Sequence, residues 1–253
     1  MRQSHFLRGK RFSKKALELP PLCAWDIETN GLGGPFIAGA FVTSDGKREL
    51  FDTFSDCFFF MVSHPEYRYL AHNASGYEFC YLYPYLYDFF VTTPGVEILP
   101  TLQGDTNIIQ IRIKKDGKDW IDLRDTLCLF SCSLEKVASA FCPEIPKLKD
   151  TIDFEHETFN IHNPDHINYV YRDCDIVLTA YVRLAQQIQE KFHCPLGVTA
   201  GSTAMKAFIA QIPKGHCYYR INDDADAFIR KAYYGGLVLP GKHIGKWGAV
   251  AGV

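Results

Sequence analysis

Ala24-Trp25-Asp26-Ile27-Glu28-Thr29 closes an apolar run by setting two carboxylates one residue apart. Successive side chains of a strand point to opposite faces, so Asp26 and Glu28 share a face and can jointly hold a divalent cation. Leu22 and Cys23 extend the run backwards, and Asn30-Gly31 directly after it is a turn signal, which together predict a strand. On its own an Asp-x-Glu pair is more often a solvated strand edge than a metal site. The decision rests on what lies downstream.

Pro20-Pro21 stops any preceding helix and feeds this strand. Two more strands are predicted near Phe36–Thr43 and Arg48–Thr53, joined across the hairpin signal Asp45-Gly46. Tyr67–Asn73 reads as a buried strand that delivers His72-Asn73 to a loop, followed by an aromatic helical stretch at Tyr77–Tyr87. Within that segment Glu78 is placed to complete a metal site, with Asn73 and Tyr77 placed to touch substrate; the plainer reading is a helix start with core aromatics. Ile108–Ile113 and Asp119–Leu123 form another predicted hairpin across Asp116-Gly117, and Leu134–Phe141 has helical spacing. Asn163-Pro164 then opens a long helix that runs to about Phe192, with Ile176, Val177, Ala180 and Leu184 as its apolar face. Tyr169 and Asp173 lie four apart on one face of it, but so do Tyr171 and Asp175, and spacing alone does not choose between them.

The bulk numbers restrict the classes. With 253 residues, 47% hydrophobic and 14% aromatic, the chain has the material for a substantial core. No apolar run approaches the roughly eighteen residues of a membrane span, and the amino terminus lacks the apolar core of a signal peptide, which predicts a cytoplasmic protein with no membrane partner. Nine cysteines without CxxC pairs suit reduced, buried thiols. A net charge of −2 neither demands nor excludes nucleic acid. Residues 1–19 hold Arg2, Arg8, Lys10, Arg11, Lys14 and Lys15 and read as a basic, solvated arm that alternatively touches phosphates. His156, His162, His166 and Cys174 match no common zinc spacing and read as surface histidines beside a thiol.

Asp26, Glu28, Glu78 and the acid of a helical Tyr-x-x-x-Asp, with its phenol, make an all-oxygen donor set suited to Mg²⁺ or Mn²⁺. Two such ions about 3.5 to 4 Å apart clamp the attacking and leaving oxygens of a phosphodiester. The order Trp25-Asp26-Ile27-Glu28, Asn73-x-x-x-Tyr77-Glu78, Tyr169-x-x-x-Asp173 resembles the three exonuclease motifs of family B DNA polymerases. Thr126-Leu127-Cys128-Leu129-Phe130, Lys149-x-x-Ile152 and Tyr233-Tyr234-Gly235-Gly236 are similar to motifs of the protein-primed branch found in phages, adenoviruses and linear plasmids.

That resemblance implies an α/β fold of the ribonuclease-H-like, DnaQ-like type, a mixed sheet flanked by helices. It implies 3′→5′ exonuclease chemistry on single-stranded DNA ends, with Asp26, Glu28, Glu78 and Asp173 on two Mg²⁺ or Mn²⁺, Tyr169 orienting water and Lys149 at the phosphate. Thr29, His72, Asn73, Tyr77 and Tyr81 would line the 3′ end. Thr126 and Leu127 would touch single-stranded DNA and the terminal protein, a possible primer partner, and Tyr233, Gly235 and Gly236 would bind DNA between exonuclease and polymerase domains. The expected organisation is an arm at 1–19, an exonuclease domain at 20–195, and a linker region at 196–253 leading to a polymerase palm absent from this chain.

Two departures qualify the resemblance. The family has Asp where this chain has Glu78; an added methylene moves the carboxylate by about 1.5 Å, a C–C bond length, and predicts a weakened exonuclease. The chain ends at Val253, before the family's polymerase aspartates, so the expectation is an amino-terminal part without DNA synthesis. The alternative is a weakened or inactive module that binds single-stranded DNA or terminal protein.

Overall fold

The computed structural model describes residues 6–31, 33–104, 107–148, 152, 157–219 and 224. The elements in chain order are β1 (Phe6–Arg8), α1 (Lys14–Leu17), β2 (Leu22–Thr29), β3 (Phe36–Thr43), β4 (Arg48–Phe51), α2 (Phe54–Ser63) and β5 (Arg68–Ala71). A 3₁₀ turn at Ala74–Gly76 leads into α3 (Glu78–Thr92), β6 (Val96–Gln103), β7 (Asn107–Lys115), β8 (Lys118–Asp125), α4 (Leu127–Phe130) and α5 (Leu134–Phe141). The long α6 (Pro164–Phe192), α7 (Ala200–Gln211) and β9 (Cys217–Tyr219) follow. Residues 10–211 form one compact unit, and β1 pairs antiparallel with β9 in a second.

Seven strands make one mixed sheet in the order β4-β3-β2-β5-β8-β7-β6. β2 runs parallel to β5 and β5 parallel to β8, while the remaining pairs are antiparallel. The alternation predicted for β2 sorts its side chains between two cores. Cys23, Trp25 and Ile27 join Phe41, Tyr69, Phe79 and Leu82 beneath α2 and α3. Leu22 and Ala24 pack with Val170, Val177 and Tyr181 of α6. Asp26 and Glu28 have the parity of Ala24, so period two aims both acids at the α6 side.

Local chemistry accounts for several boundaries. The β7–β8 turn puts Asp116 and Gly117 at φ of 50° and 75°, the two left-handed positions an Asp-Gly hairpin supplies. Asn163 caps α6, its side chain accepting from Asp165 N at 3.0 Å, with Pro164 in the first turn. β6 contains Pro100, which is tolerated because β6 is an edge strand. Gly39 lets α2 close on the sheet: a Cβ there would stand 2.5 Å from Cys57 Sγ.

The expectation of surface histidines fails at His166, which is 3% exposed. Its Nδ1 accepts from Asn160 N at 2.9 Å and its ring lies 5.7 Å from Phe159, so it anchors the segment entering α6. His162 is exposed as expected, and Cys174 is buried with its thiol toward Ala40 O. No helix among the described residues is long and apolar enough to cross a membrane.

Phe41 sits at the aromatic centre, 6.0 Å from Trp25 and 4.9 Å from Phe60. Phe41→Ala is expected to cost about 3–5 kcal/mol of stability, read as a lower urea midpoint at unchanged slope.

Candidate active site

The first turn of α3, from one face of the sheet, and the middle of α6, from the other, meet at the carboxyl end of β2. β2 brings Asp26 and Glu28, α3 opens on Glu78, and α6 presents Asp173, which is buried with Glu78. Asp26 and Glu78 share a hydrogen bond, and the charges of Asp26, Glu28 and Asp173 act on one another. The four acids proposed from sequence are therefore brought to one place.

Burial and mutual repulsion make this cluster reluctant to ionise. The Asp26 carboxyl is pushed up to about 7 by burial and by Asp173, against the hydrogen bond from Glu78. Glu28 rises to about 8 through burial, Asp26 and Asp173. Glu78 is raised well above its ordinary value by burial and Asp26, and burial raises Asp173 against the pull of Lys147. Glu78 Oε2 and Asp173 Oδ1 are buried without a hydrogen-bond partner among the described residues.

Lys147 supplies the cation. Its ammonium donates to Asp173 Oδ2 and lies 5.2 Å from the centre of the Tyr169 ring, so Asp173, Lys147 and Tyr169 form one assembly. Lys149, chosen from the sequence pattern, lies outside the described residues, as do Tyr233, Gly235 and Gly236. Lys147 falls outside the Lys-x-x-hydrophobic pattern, since the third residue after it is Asp150 where the pattern asks for an apolar side chain.

The ambiguous register on α6 is settled by the far side of the helix. Asp175 accepts from Arg48 Nη2 at 2.8 and 3.0 Å, and the Arg48 guanidinium lies 5.1 Å from the Tyr171 ring centre. Tyr171 and Asp175 thus belong to a surface ion pair, which leaves Tyr169 and Asp173 facing the acids.

A tyrosine wall flanks the cluster. The Tyr77 and Thr29 hydroxyls are hydrogen-bonded, Tyr81 OH donates to Gly34 O at 2.6 Å, and the two tyrosine rings meet edge to face at 5.7 Å. Both hydroxyls hold the loop after β2, and both rings keep partial exposure for stacking. His72 and Thr126 stand behind this wall. His72 Nε2 faces Cys132 O and its Nδ1 faces Thr126 Oγ1, each at 3.0 Å, while Thr126 is 1% exposed and also donates to Ala71 O. Their polar atoms are spent inside the protein, so they brace the loops. Asn73 is exposed at a left-handed φ of 71°, and Leu127 is half-buried.

Asp125, which sequence reading missed, ties these loops together. Its carboxylate accepts from the backbone N–H of Asn73 and Ser75 at 3.0 Å and of Leu127 at 2.8 Å. One buried acid at the end of β8 thereby joins the two segments assigned to DNA. An Asp side chain readily accepts from the backbone N–H two residues on, as an Asx turn, and the Leu127 contact was legible on that ground.

The donor set suits a hard divalent cation in kind: four carboxylates, two of them with buried unpartnered oxygens. Among the described residues, however, no three acid, histidine or cysteine side chains already stand in a metal-holding group. Lys147 occupies one oxygen of Asp173, while Asp173 Oδ1 and Glu78 Oε2 are left unpartnered among the described residues.

The fold is an α/β mixed sheet of the ribonuclease-H-like class, carrying acids at the end of β2. Residues 60–166 match the family model described as DNA polymerase type B, organellar and viral. Phi29 DNA polymerase in complex with single-stranded DNA superposes with a TM-score of 0.70 at 16% identity, covering 89% of this chain and 41% of that one. Its complex with primer-template DNA gives 0.71 at 16% over the same shares, and its orthorhombic crystal form 0.65 at 17%, covering 85% and 39%. The chain thus spans well under half the length of that polymerase. No curated protein sequence matches it significantly. The family match over residues 60–166 bears out the resemblance to family B DNA polymerases read from the motifs, and the superposed structures bear out the expected fold.

The raised carboxyls set a pH dependence for the metal-free protein. Asp26 and Glu28 bind protons more tightly folded than unfolded, so their stabilising effect is complete below about pH 4. It is lost as pH rises through about 7 and 8. Melting temperature in chelator is expected to fall from pH 5 to 8.5, and less steeply in Asp26→Asn.

Proposed function

We propose that this chain is the exonuclease-bearing part of a protein-primed DNA polymerase, hydrolysing single-stranded DNA from its 3′ end. The observation that carries the reading is the convergence of Asp26, Glu28, Glu78 and Asp173 with Lys147 and Tyr169 beside the Tyr77–Tyr81 wall. Asp26, Glu28, Glu78 and Asp173 would hold two Mg²⁺ or Mn²⁺. When bound, these ions would supply the positive charge that phosphodiester hydrolysis requires.

The chain's own residues do the rest. Tyr77 and Tyr81 stack the terminal bases without regard to sequence, as removal of any mispaired nucleotide demands. The Tyr169 hydroxyl orients the attacking water, and the scissile phosphorus–oxygen bond breaks to leave a 3′ hydroxyl on the shortened strand. Lys147 exchanges its contact with Asp173 for the phosphate, where its charge offsets the growing negative charge. Asp125 holds the two DNA-facing loops in register, and Leu127, half-buried where Thr126 is fully buried, is the part of that segment offered to a terminal protein.

A second reading is a module that binds single-stranded DNA or terminal protein without cutting it. The absence of a ready metal-holding group among the described residues, with Glu78 drawn onto Asp26, favours that reading.

Digestion of a 5′-labelled single strand with Mg²⁺ or Mn²⁺ separates the two. A ladder of shortened products is expected, falling about a thousandfold or more in Asp26→Ala and rising in Glu78→Asp; binding without a ladder establishes the second reading. Lys147→Ala is expected to lower the cleavage rate about a hundredfold, while Lys149→Ala lowers it less. The reverse order returns the phosphate role to Lys149.

A further inference from the structure

Away from the acids, toward the end of β2 where Leu22 lies level with Arg68, the half-buried Arg68, Arg124 and Lys206 line one cavity. Arg68 and Arg124 share one carboxylate. Arg68 Nε donates to Asp122 Oδ2 at 2.8 Å, Arg124 donates to the same group through Nε and Nη2, and Gln110 Nε2 donates to Oδ1 at 2.7 Å. Although burial opposes it, Arg124 and Arg68 hold the Asp122 carboxyl below its ordinary value. Asp122 has no further capacity to offer.

On the inner side of this pair lies a cavity of about 220 Å³ walled by α1, α6, α7 and the segment at Cys194–Leu196. Lys206 lines it together with both arginines, its ammonium donating to Leu196 O at 2.6 Å. Three cations therefore line this space, and the one acid among its described lining residues is the exposed Glu18. Burial lowers the Lys206 pKa first, and Arg124, Arg68 and Lys10 lower it further, the mark of like charges crowded without a counter-ion.

Tyr181 adds an independent signal. Its hydroxyl oxygen receives Nη1 of Arg68 and Nη1 of Arg124, each at 3.4 Å. Guanidinium groups accept nothing, so the Tyr181 proton must go elsewhere, and no acceptor faces it among the described residues. A buried phenol O–H and surplus N–H donors beside an ammonium make a donor set for an oxyanion, and paired guanidiniums favour phosphate geometry. At about 30 Å³ per water in the liquid, the cavity has room for one phosphate group and some solvent.

We propose that the cavity bounded by Arg68, Arg124, Tyr181 and Lys206 is a binding site for a phosphate-class anion, either free phosphate or the phosphate of a mononucleotide. It is separate from the acid cluster and needs no divalent ion. An occupant neutralises the surplus charge and ties α7 to the sheet.

The test uses the full chain in chelator at constant ionic strength. Inorganic phosphate is titrated while melting temperature is followed, with binding checked by calorimetry. A saturable rise of several degrees is expected, with affinity falling about tenfold in Lys206→Gln and in Arg68→Lys. Lys206→Gln keeps a donor for Leu196 O, and Arg68→Lys keeps the charge toward Asp122, so at least one folded variant reports. Deoxyadenosine monophosphate in place of phosphate distinguishes the sources: tighter binding that is lost in Lys206→Gln identifies a nucleotide, equal binding identifies free phosphate. Asp26→Ala is expected to bind phosphate as the wild type does, so loss of nuclease activity leaves this result standing. No saturable rise, a rise unchanged in both variants, or a rise abolished by Asp26→Ala overturns the proposal.

Discussion

Gathering like charge in a buried place is the constraint on which the active end of this molecule depends. Asp26, Glu28, Glu78 and Asp173 repel one another and are poorly solvated, so each resists ionisation. Lys147 is drawn onto Asp173, and the remaining carboxyls are held above their ordinary values. The rest of the fold holds that arrangement against its own repulsion. The aromatic core under α2 and α3 fixes one face of β2, and α6 closes the other.

The same economy appears at Asp125, with the opposite sign of consequence. Here a buried carboxylate is satisfied by three backbone N–H donors, and it joins the loop after β5 to the start of α4. A charged acceptor binds such donors more strongly than a neutral one, so a single side chain can order two segments that have little apolar contact of their own. The acids of the cluster are held apart from satisfaction and Asp125 is held in it. That difference separates groups available for chemistry from groups that position them.

Positive charge is distributed by similar logic. Arg48 is spent on Asp175 at the surface, and Lys147 is spent on Asp173 in the site. Arg68, Arg124 and Lys206 line one cavity, and two of them share the half-buried carboxylate of Asp122. An uneven balance inside a fold is costly unless something else completes it, which is why that cavity stands out from the exposed ion pairs around it.

What the sequence by itself determined are the features governed by near neighbours. The parity of Asp26 and Glu28, the Asp-Gly hairpins, the Asn-Pro start of α6 and the apolar face of that helix all follow from spacings of a few residues, and they appear where expected. Tertiary structure alone decided which lysine reaches Asp173, which of two equally spaced Tyr/Asp pairs faces the acids, and that His166 is buried. It also decided that His72 and Thr126 brace loops while Asp125 gathers them. Those outcomes depend on side chains separated by tens of residues meeting across packed elements. Local pattern carries no information about such distances, because they are set by how the helices close on the sheet.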